Sequence, residues 1–166
     1  MCGIVGLFDS RGKRSFDEVL VARMNDSQTH RGPDDAGLHL EPGLALGHRR
    51  LAILDLSPAG HQPMASDDGK VIVVFNGEIY NFMDLRAELE AAGHRFHSHC
   101  DTEVIVKGWQ VWGESCVDRF RGMFAFAIWD SEQERLFLAR DRLGIKPLYY
   151  AQMADGQLVF ASELKA

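Results

Sequence analysis

Short apolar runs and one helical pattern open the chain. Positions 2–8 are apolar and are followed by polar residues, which predicts a buried strand at the start of the chain. Ser15 and Glu18 have the spacing of a capping box, and apolar residues then recur every three or four positions, which predicts a helix over 16–28. A strand and then a helix should therefore lead into the rest of the fold.

Strands are predicted for the next part of the chain. Turns that contain Gly and Pro frame a strand over 36–41 and a second strand over 44–53. Positions 71–75 are apolar without interruption, so both faces of that strand must be covered by other elements. Asn76 and Gly77 are then expected to end the strand, because Asn-Gly is a strong turn signal.

The hydrophobic period changes to that of a helix after Asn81. Apolar residues share one helical face up to Gly93, which supplies a stop signal. A second helix is predicted over 102–113, with Ile105 and Trp109 on one stripe. Both helices need a flat apolar surface on which to pack.

Strand patterns fill the last third of the chain and supply that surface. The predicted strands are 123–129, 135–139, 148–152 and 157–162. The first of them is apolar on both faces, so it belongs to an inner layer. Helices kept apart from runs of antiparallel strands indicate an α+β sandwich, in which sheet packs on sheet and helices cover the outside.

Length and composition fit one ordinary globular domain. The chain has 166 residues, of which 46% are hydrophobic and 25% charged, unlike a disordered chain or a membrane span. Its formal net charge of -6, without a concentrated basic face, argues against a nucleic-acid partner. We therefore expect neither nucleic acid nor membrane among its partners.

Cysteine usage indicates a reducing compartment. Cys2, Cys100 and Cys116 form an odd set, which does not suggest a secreted disulfide framework. The start of the chain also lacks the basic region and long apolar stretch of a signal peptide. The predicted location is the cytoplasm.

The second position of the chain carries a candidate nucleophile. Removal of Met1 would leave Cys2 with a free α-amino group, whose ordinary pKa of about 7.7–8.0 is close to the roughly 8.5 of a thiol. That amine would serve as the base for the thiol of the same residue, so no histidine is required. Position alone does not decide for this role, because it also fits the ordinary alternative, in which Cys2 is a small buried hydrophobe of the first strand.

Polar residues elsewhere in the chain would complete such a site. An amide NH2 from Asn76 beside the backbone N–H of Gly77 would form a pair of donors for a developing oxyanion, the alternative being a hairpin turn. Arg50, Glu78 and Asp101 together would hold a zwitterionic amino acid by both ends. Two of them have ordinary alternatives, a surface cation for Arg50 and a helix N-cap for Asp101.

Two other polar clusters stay outside this candidate set. In "HRFHSHC" a strand would place His97 and His99 on one face and Cys100 on the other, and this spacing is not that of a closed zinc site. We therefore expect no metal site. His30 and Arg31 lie in a predicted loop before a Gly-Pro turn, where they would either close over a bound ligand or stiffen the turn, and no chemistry is assigned to them.

Ordered motifs extend over essentially the whole chain. They are "MCGIVGLFD", "HRGPDDAG", "GHRRLAILDLS", "HQPM", "VVFNGEIYN", "DTEVI", "RGMFAFAIWD", "ARDRLGIKPLYY" and "FASELKA". In these motifs the chain resembles the class II glutamine amidotransferases of the asparagine-synthetase type. The resemblance implies one glutaminase domain over 1–166, with the four-layer α/β/β/α sandwich of N-terminal nucleophile hydrolases.

The resemblance also implies roles for the candidate residues. Cys2, exposed by removal of Met1, would attack the side-chain amide of glutamine and form a γ-glutamyl thioester, which releases ammonia. Asn76 and Gly77 look like the oxyanion hole. The implied glutamine-binding residues are Arg50 for the α-carboxylate, Glu78 and Asp101 for the α-ammonium, the backbone around Ile53 and Leu54, and Asn76.

A partner domain is implied as well. In such relatives ammonia passes to an ATP-using synthetase domain, and this chain contains no SGGxDS-like pyrophosphate loop. We therefore expect a glutaminase half without a cofactor of its own, with ATP and Mg²⁺ needed only by a synthetase domain outside these residues. An acceptor other than aspartate, a glutamine-binding regulatory module without turnover, and a homodimer are left open.

Overall fold

Nine strands and four helices make up the part of the chain that the computed structural model describes, residues 1–11 and 14–166. The strands are β1 (Gly3–Phe8), β2 (Asp35–Glu41), β3 (Leu44–Arg50), β4 (Met64–Ala65), β5 (Val71–Ile79), β6 (Gly122–Asp130), β7 (Arg135–Arg140), β8 (Tyr149–Gln152) and β9 (Leu158–Ala161). The helices are α1 (Glu18–Asp26), α2 (Phe82–Ala91), α3 (Asp101–Trp112) and α4 (Cys116–Arg119). In this described part, no helix has the length and hydropathy needed to span a lipid bilayer.

The strands form two antiparallel sheets. One has the order β2-β3-β1-β9-β8 and the other the order β4-β5-β6-β7. In the first sheet Gly3 pairs with Arg49, so Cys2 and Arg50 lie at neighbouring strand ends. This register brings the start of the chain to the end of β3.

Apolar side chains fill the space between the two sheets. The buried residues of this inner core are Ile4, Leu44, Leu46, Ile72, Val74, Ala125, Ala127, Trp129 and Phe160. On the outer face of the first sheet, Val21 of α1 packs against Leu7 and Ala45. On the outer face of the second sheet, α2, α3 and α4 cover a larger core. The layers therefore follow the order α/β/β/α, which confirms the predicted sandwich.

Strands β5 and β6 have apolar residues on both faces, as predicted. Phe124 and Phe126 of β6 belong to the core under the helices, whereas Ala125 and Ala127 belong to the core between the sheets. Successive side chains of a strand point to opposite faces, so a strand covered on both sides must be apolar throughout. The uninterrupted apolar runs are thus explained by the inner position of this sheet.

The predicted capping box at the first helix is wrong. Helix α1 has Asp17 as its N-cap, and the Asp17 carboxylate accepts a hydrogen bond of 2.9 Å from the backbone N–H of Val19. Aspartate is as strong an N-cap as serine, and here it lies directly before the first helical residue. The helix therefore begins and ends about two residues inside the predicted range.

The largest difference from the sequence-based expectation lies in β5. This strand does not end at Phe75 but continues through Asn76 and Gly77 to Ile79, paired along its length with β6. A side chain at position 77 would place its Cβ 2.4 Å from the carbonyl oxygen of Met123, so only glycine permits this close pairing. Tertiary pairing has overridden the local Asn-Gly turn signal.

Candidate active site

A cleft opens at one end of the sandwich, where β1 begins and β3 ends. Its wall includes all eight site residues predicted from the sequence, namely Cys2, Arg50, Ile53, Leu54, Asn76, Gly77, Glu78 and Asp101. They come from both sheets, from the loop after β3 and from the first turn of α3. Because these positions are far apart along the chain, their convergence is a property of the fold.

The Cys2 thiol lies against the backbone of Leu51. The N–H of Leu51 donates to Cys2 Sγ over 3.4 Å, and Sγ lies 3.8 Å from the carbonyl oxygen of the same residue. Burial raises the pKa of the Cys2 thiol, and the Leu51 hydrogen bond acts in the opposite direction. A thiol with a raised pKa stays protonated at neutral pH, so a nucleophilic role requires a base beside it.

Arg31 fixes the backbone at the nucleophile, although no chemistry was assigned to it from the sequence. Its Nε donates to the carbonyl oxygen of Cys2 over 2.9 Å, and its Nη1 contacts the Glu163 carboxylate at 3.1 Å. His30 Nε2 lies 2.9 Å from the same carboxylate. The motif "HRGPDD" was the available signal, but its contact with residue 2 arises only from the fold.

The α-amino group at the chain start also lies at this cleft. Partial burial lowers the pKa of the Met1 amine; the Cys2 and Asp34 charges oppose this, whereas the cations of Arg31 and Lys146 add to it. A lowered pKa leaves more of an amine neutral at pH 7. An amine in this position is therefore suited to accept a proton.

The Asn76 side chain is buried without a hydrogen-bond partner. It is 1% exposed, and among the described residues neither Nδ2 nor Oδ1 has a partner. Leaving a buried polar group unpaired costs about 1–3 kcal/mol, so such a group calls for an explanation. Asn76 lines the cleft. A ligand in the cleft would supply the missing partner.

The N–H of Gly77 points from the edge of β5 that faces away from β6. On this edge the N–H of Phe75 donates to Gln62 Oε1 over 2.7 Å, and the N–H of Ile79 donates to Asp101 Oδ2 over 2.9 Å. Donors in a strand alternate between its two edges, so the N–H of Gly77 shares the edge used by Phe75 and Ile79. It thus lies beside the Asn76 amide as a second donor at the cleft.

Arg50 is buried at the end of β3 and supports the loop that follows. Its Nη1 donates to the carbonyl oxygen of Ser57 over 3.1 Å, and its Nη2 donates to that of Asp55. Gly60 leaves room for the guanidinium, because a Cβ there would lie 2.1 Å from Nη2. A guanidinium has five N–H donors, so three remain for a ligand.

Asp101 is the first residue of α3 and not its N-cap. The N-cap is Cys100, and the Asp101 carboxylate instead accepts from the backbone N–H of Ile79. Burial raises the pKa of Asp101 to about 6, and the charge of Glu78 acts in the same direction. A cation placed between the two carboxylates would relieve their repulsion.

The remaining predicted positions lie on the loop after β3. The side chains of Ile53 and Leu54 are 71% and 41% exposed, and both residues line the cleft. Strand β3 ends at Arg50, whereas the sequence predicted a strand up to position 53. The chain leaves the sheet at Leu51, whose N–H and carbonyl contact the Cys2 thiol.

The histidine-rich segment, residues 94–100, contacts carboxylate and hydroxyl groups of neighbouring residues. The backbone N–H of His99 donates to Asp55, His97 Nε2 lies 3.2 Å from Asp67, and Cys100 Sγ lies 3.0 Å from the hydroxyl of Ser98. Across residues 1–11 and 14–166, no three His, Cys, Asp or Glu side chains are grouped as metal ligands would be.

The four layers, with a cysteine at the start of an inner strand, are the architecture of an N-terminal nucleophile hydrolase. A family model described as a glutamine amidotransferase domain matches residues 1–166, and the chain therefore belongs to that family.

Two relatives show the extent of the match along the chain. Asparagine synthetase [glutamine-hydrolyzing] 3 of Bacillus subtilis is 44% identical over 168 residues, which cover 100% of this chain and 27% of that protein. An asparagine synthetase [glutamine-hydrolyzing] of Zea mays is 41% identical over 170 residues, which cover 100% of this chain and 28% of that protein. The chain thus spans about a quarter of the length of these relatives.

A solved structure shares the fold at lower sequence identity. The glutamine phosphoribosylpyrophosphate amidotransferase from B. subtilis, complexed with ADP and GMP, superposes with a TM-score of 0.79 at 23% identity. The match covers 98% of this chain and 42% of that one. This likeness confirms the fold class expected from the sequence.

Proposed function

We propose that this domain hydrolyses the side-chain amide of glutamine to glutamate and ammonia, with Cys2 as nucleophile. The observation that carries the proposal is the buried Asn76 amide without a partner, at the same cleft as the Cys2 thiol. Membership of the glutamine amidotransferase family supplies the substrate class. Asn76 and Gly77 provide the two donors that an amide-cleaving site needs.

The reaction begins with removal of Met1, which exposes the α-amino group of Cys2. That amine takes the thiol proton while Sγ attacks the amide carbon, and the carbonyl oxygen becomes an oxyanion that Asn76 and Gly77 stabilise. The tetrahedral intermediate collapses to a γ-glutamyl thioester when the amine returns the proton to the leaving nitrogen, which departs as ammonia. Water, deprotonated by the same amine, then adds to the thioester carbon. The C–S bond breaks to release glutamate, and the amine returns the proton to the Cys2 sulfur.

Charged groups around the cleft suit the two ends of glutamine. Arg50 binds the α-carboxylate with its remaining donors, and Glu78 and Asp101 bind the α-ammonium. Opposite charges at a partly buried site attract more strongly than they do in water. The exposed loop that carries Ile53 and Leu54 covers the substrate from the solvent side.

The ammonia is destined for a second domain of the full-length protein. The relatives are named asparagine synthetases, and each is about four times as long as this chain. A synthetase domain that uses ATP and Mg²⁺ to activate aspartate fits that length, and another carboxylate acceptor would be served by the same glutaminase half. The glutaminase steps use no cofactor, and we assign them to the cytoplasm.

The role of Arg50 predicts a defect in substrate capture. Arg50→Lys keeps the positive charge but loses the planar guanidinium, which can donate two hydrogen bonds to one carboxylate. Charge-assisted hydrogen bonds contribute about 1.5–3 kcal/mol each. We expect KM for glutamine to rise about 10- to 100-fold with kcat changed little, as steady-state glutamate release will show.

The matched control for Arg50→Lys is Arg49→Lys, on the opposite face of β3. Arg49 donates to the carbonyl oxygen of Gly32 and lies outside the cleft wall, so its variant should keep the parent KM. An unchanged KM in Arg50→Lys would show that this arginine supports the loop but does not bind glutamine. Parent protein that releases no glutamate would refute the proposed function.

The raised pKa of Asp101 predicts weaker glutamine binding at low pH. As pH falls through about 6 the carboxyl gains a proton and loses its attraction for the α-ammonium. In Cys2→Ala protein, which cannot turn glutamine over, calorimetry should show Kd rising between pH 7 and pH 5. In Cys2→Ala/Asp101→Asn protein, Kd should be high and nearly flat over this range.

The exposed carboxylate of Asp118 provides the control for the pH experiment, because it lies outside the cleft. Asp118→Asn in the Cys2→Ala background should keep the pH dependence of its parent. A parent Kd that does not change between pH 7 and pH 5 would remove Asp101 from the ammonium site.

A further inference from the structure

Lys146 is a buried cation at the cleft that sequence reasoning left out. It lies between β7 and β8, is 5% exposed, and lines the cleft beside Met1, Cys2 and Met123. Among the described residues its Nζ has no carboxylate within ion-pair distance. The equally buried Lys107, by contrast, contacts Asp67 at 2.7 Å.

The backbone around Lys146 holds it in place. Its N–H donates to Asp141 Oδ2 over 3.0 Å, and its carbonyl oxygen accepts from Arg140 Nε over 2.7 Å. The Asp141 carboxylate also accepts from the N–H of Phe124, which ties the segment to β6. The lysine is therefore held at the cleft by bonds that do not involve its own charge.

Lys146 is 5% exposed and pairs with no carboxylate of the described residues, so its charge is less screened than that of an exposed lysine and acts on the other groups of the cleft. The Lys146 charge acts on the α-amino group of Met1, where it disfavours a second positive charge and so lowers the pKa of that amine. Arg31 acts on the Met1 amine in the same direction, and Asp34 and Cys2 act against it. The α-amino group of Cys2, once exposed, would lie one residue away at the same cleft. The other charged groups of the cleft are Arg50, Glu78, Asp55 and Asp101.

We propose that Lys146 is a positioning residue for glutamine hydrolysis, whose positive charge at the cleft keeps the α-amino group of the exposed Cys2 neutral and able to accept a proton. This inference rests on the proposed function, because it assigns the amine the role of base. Lys146 acts on the reaction through the charge state of the amine. Its charge, and not its hydrogen-bonding shape, is the property that matters.

The pH profile of kcat/KM tests the role of this charge. Lys146→Met removes the positive charge at similar side-chain volume, so the amine should hold its proton to higher pH. The acid side of the kcat/KM profile should therefore move to higher pH by about one unit. Activity should recover at alkaline pH. Lys146→Arg should keep the parent profile, because it keeps the charge.

Exposed Lys70, which pairs with Glu132, provides the control. Lys70→Met should leave the profile unchanged. Lys146→Gln is a second neutral variant and is used where Lys146→Met fails to fold. Equal profiles for parent, the neutral Lys146 variant and Lys146→Arg would overturn the inference.

A measurement without turnover separates this inference from the proposed function. In the Cys2→Ala background, the rate of acetylation of the α-amino group by acetic anhydride at each pH, read by mass spectrometry, reports the pKa of that amine. The neutral Lys146 variant should titrate about one unit higher than its parent. Identical titrations would refute the role of Lys146 and leave the glutaminase proposal intact, whereas an inactive parent protein would refute the glutaminase proposal itself.

Discussion

Cys2→Ala protein will release no measurable glutamate from glutamine. The substitution removes the sulfur that forms the thioester, and neither the amine nor the oxyanion donors can replace it. The variant should fold as the parent does and still bind glutamine, because among the described residues the thiol of Cys2 is hydrogen-bonded to the backbone of Leu51 alone. Coupled glutamate assay, near-UV circular dichroism and calorimetry with glutamine measure these three properties.

A second thiol at the same cleft provides the matched control. Cys100 lines the cleft but contacts Ser98, and it lies far along the chain from the amine. Cys100→Ser should therefore turn glutamine over at a rate within a few-fold of the parent. If Cys2→Ala keeps parental turnover, Cys2 is not the nucleophile.

Removal of Met1 is part of the same prediction. A methionine still attached converts the Cys2 amine into an amide nitrogen, which cannot act as a base. Intact-mass measurement should find Met1 absent from active protein, and a preparation that retains Met1 should be folded and inactive. Full turnover by protein that retains Met1 would contradict the mechanism.

Asn76→Ala should lower kcat about 100- to 1000-fold, which is the usual effect of losing one oxyanion donor. KM should change little, since the oxyanion exists only in the transition state and its donor contributes little to ground-state binding. Because neither amide atom of Asn76 has a partner in the described structure, the substitution removes no protein hydrogen bond. The free energy of unfolding should therefore fall by less than is usual for a buried asparagine, as denaturant titration will show.

Asn25 is the matched control for Asn76, with the opposite expectation. It is equally buried, but its Nδ2 donates to the carbonyl oxygen of His48 over 3.1 Å. Asn25→Ala should lose about 1–3 kcal/mol of stability, because that carbonyl loses its donor, and should keep kcat. Parental kcat in Asn76→Ala would remove the amide from the oxyanion hole.

Much of the fold follows from local patterns, and the errors of the sequence-based prediction share one cause. Hydrophobic patterns identified eight of the nine strands and the three longer helices, because side-chain direction repeats every two residues in a strand and about every 3.6 in a helix. The sequence-based prediction ended β5 at Phe75, because the Asn-Gly turn signal depends only on neighbouring residues. The pairing of Gly77 with Phe124, which continues the strand, joins residues that are distant in the chain. The two-residue β4 and the four-residue α4 are too short to show a period.

The candidate site divides in the same way. The side chains with a distinctive chemistry, such as Cys2 and Asn76, were identified from the sequence. Three further groups at the site were assigned no role from the sequence: the backbone of Leu51, the Arg31 side chain that donates to the Cys2 carbonyl oxygen, and the buried Lys146. A backbone N–H is the same at nearly every residue, so the sequence does not single out the one at Leu51. A lysine or arginine likewise shows no special role in the sequence, because such a role depends on its burial in the fold.

The sequence by itself determined the order and type of the elements, the inner position of the all-apolar strands, and the residues able to attack and bind an amide. These depend on short-range spacing and on side-chain chemistry. Only the tertiary structure decided that, within residues 1–11 and 14–166, the Asn76 amide is buried without a partner and Lys146 has no counter-ion, and that both residues share a cleft with Cys2. Burial and proximity are created when two sheets pack face to face, because packing joins residues that are distant in the chain.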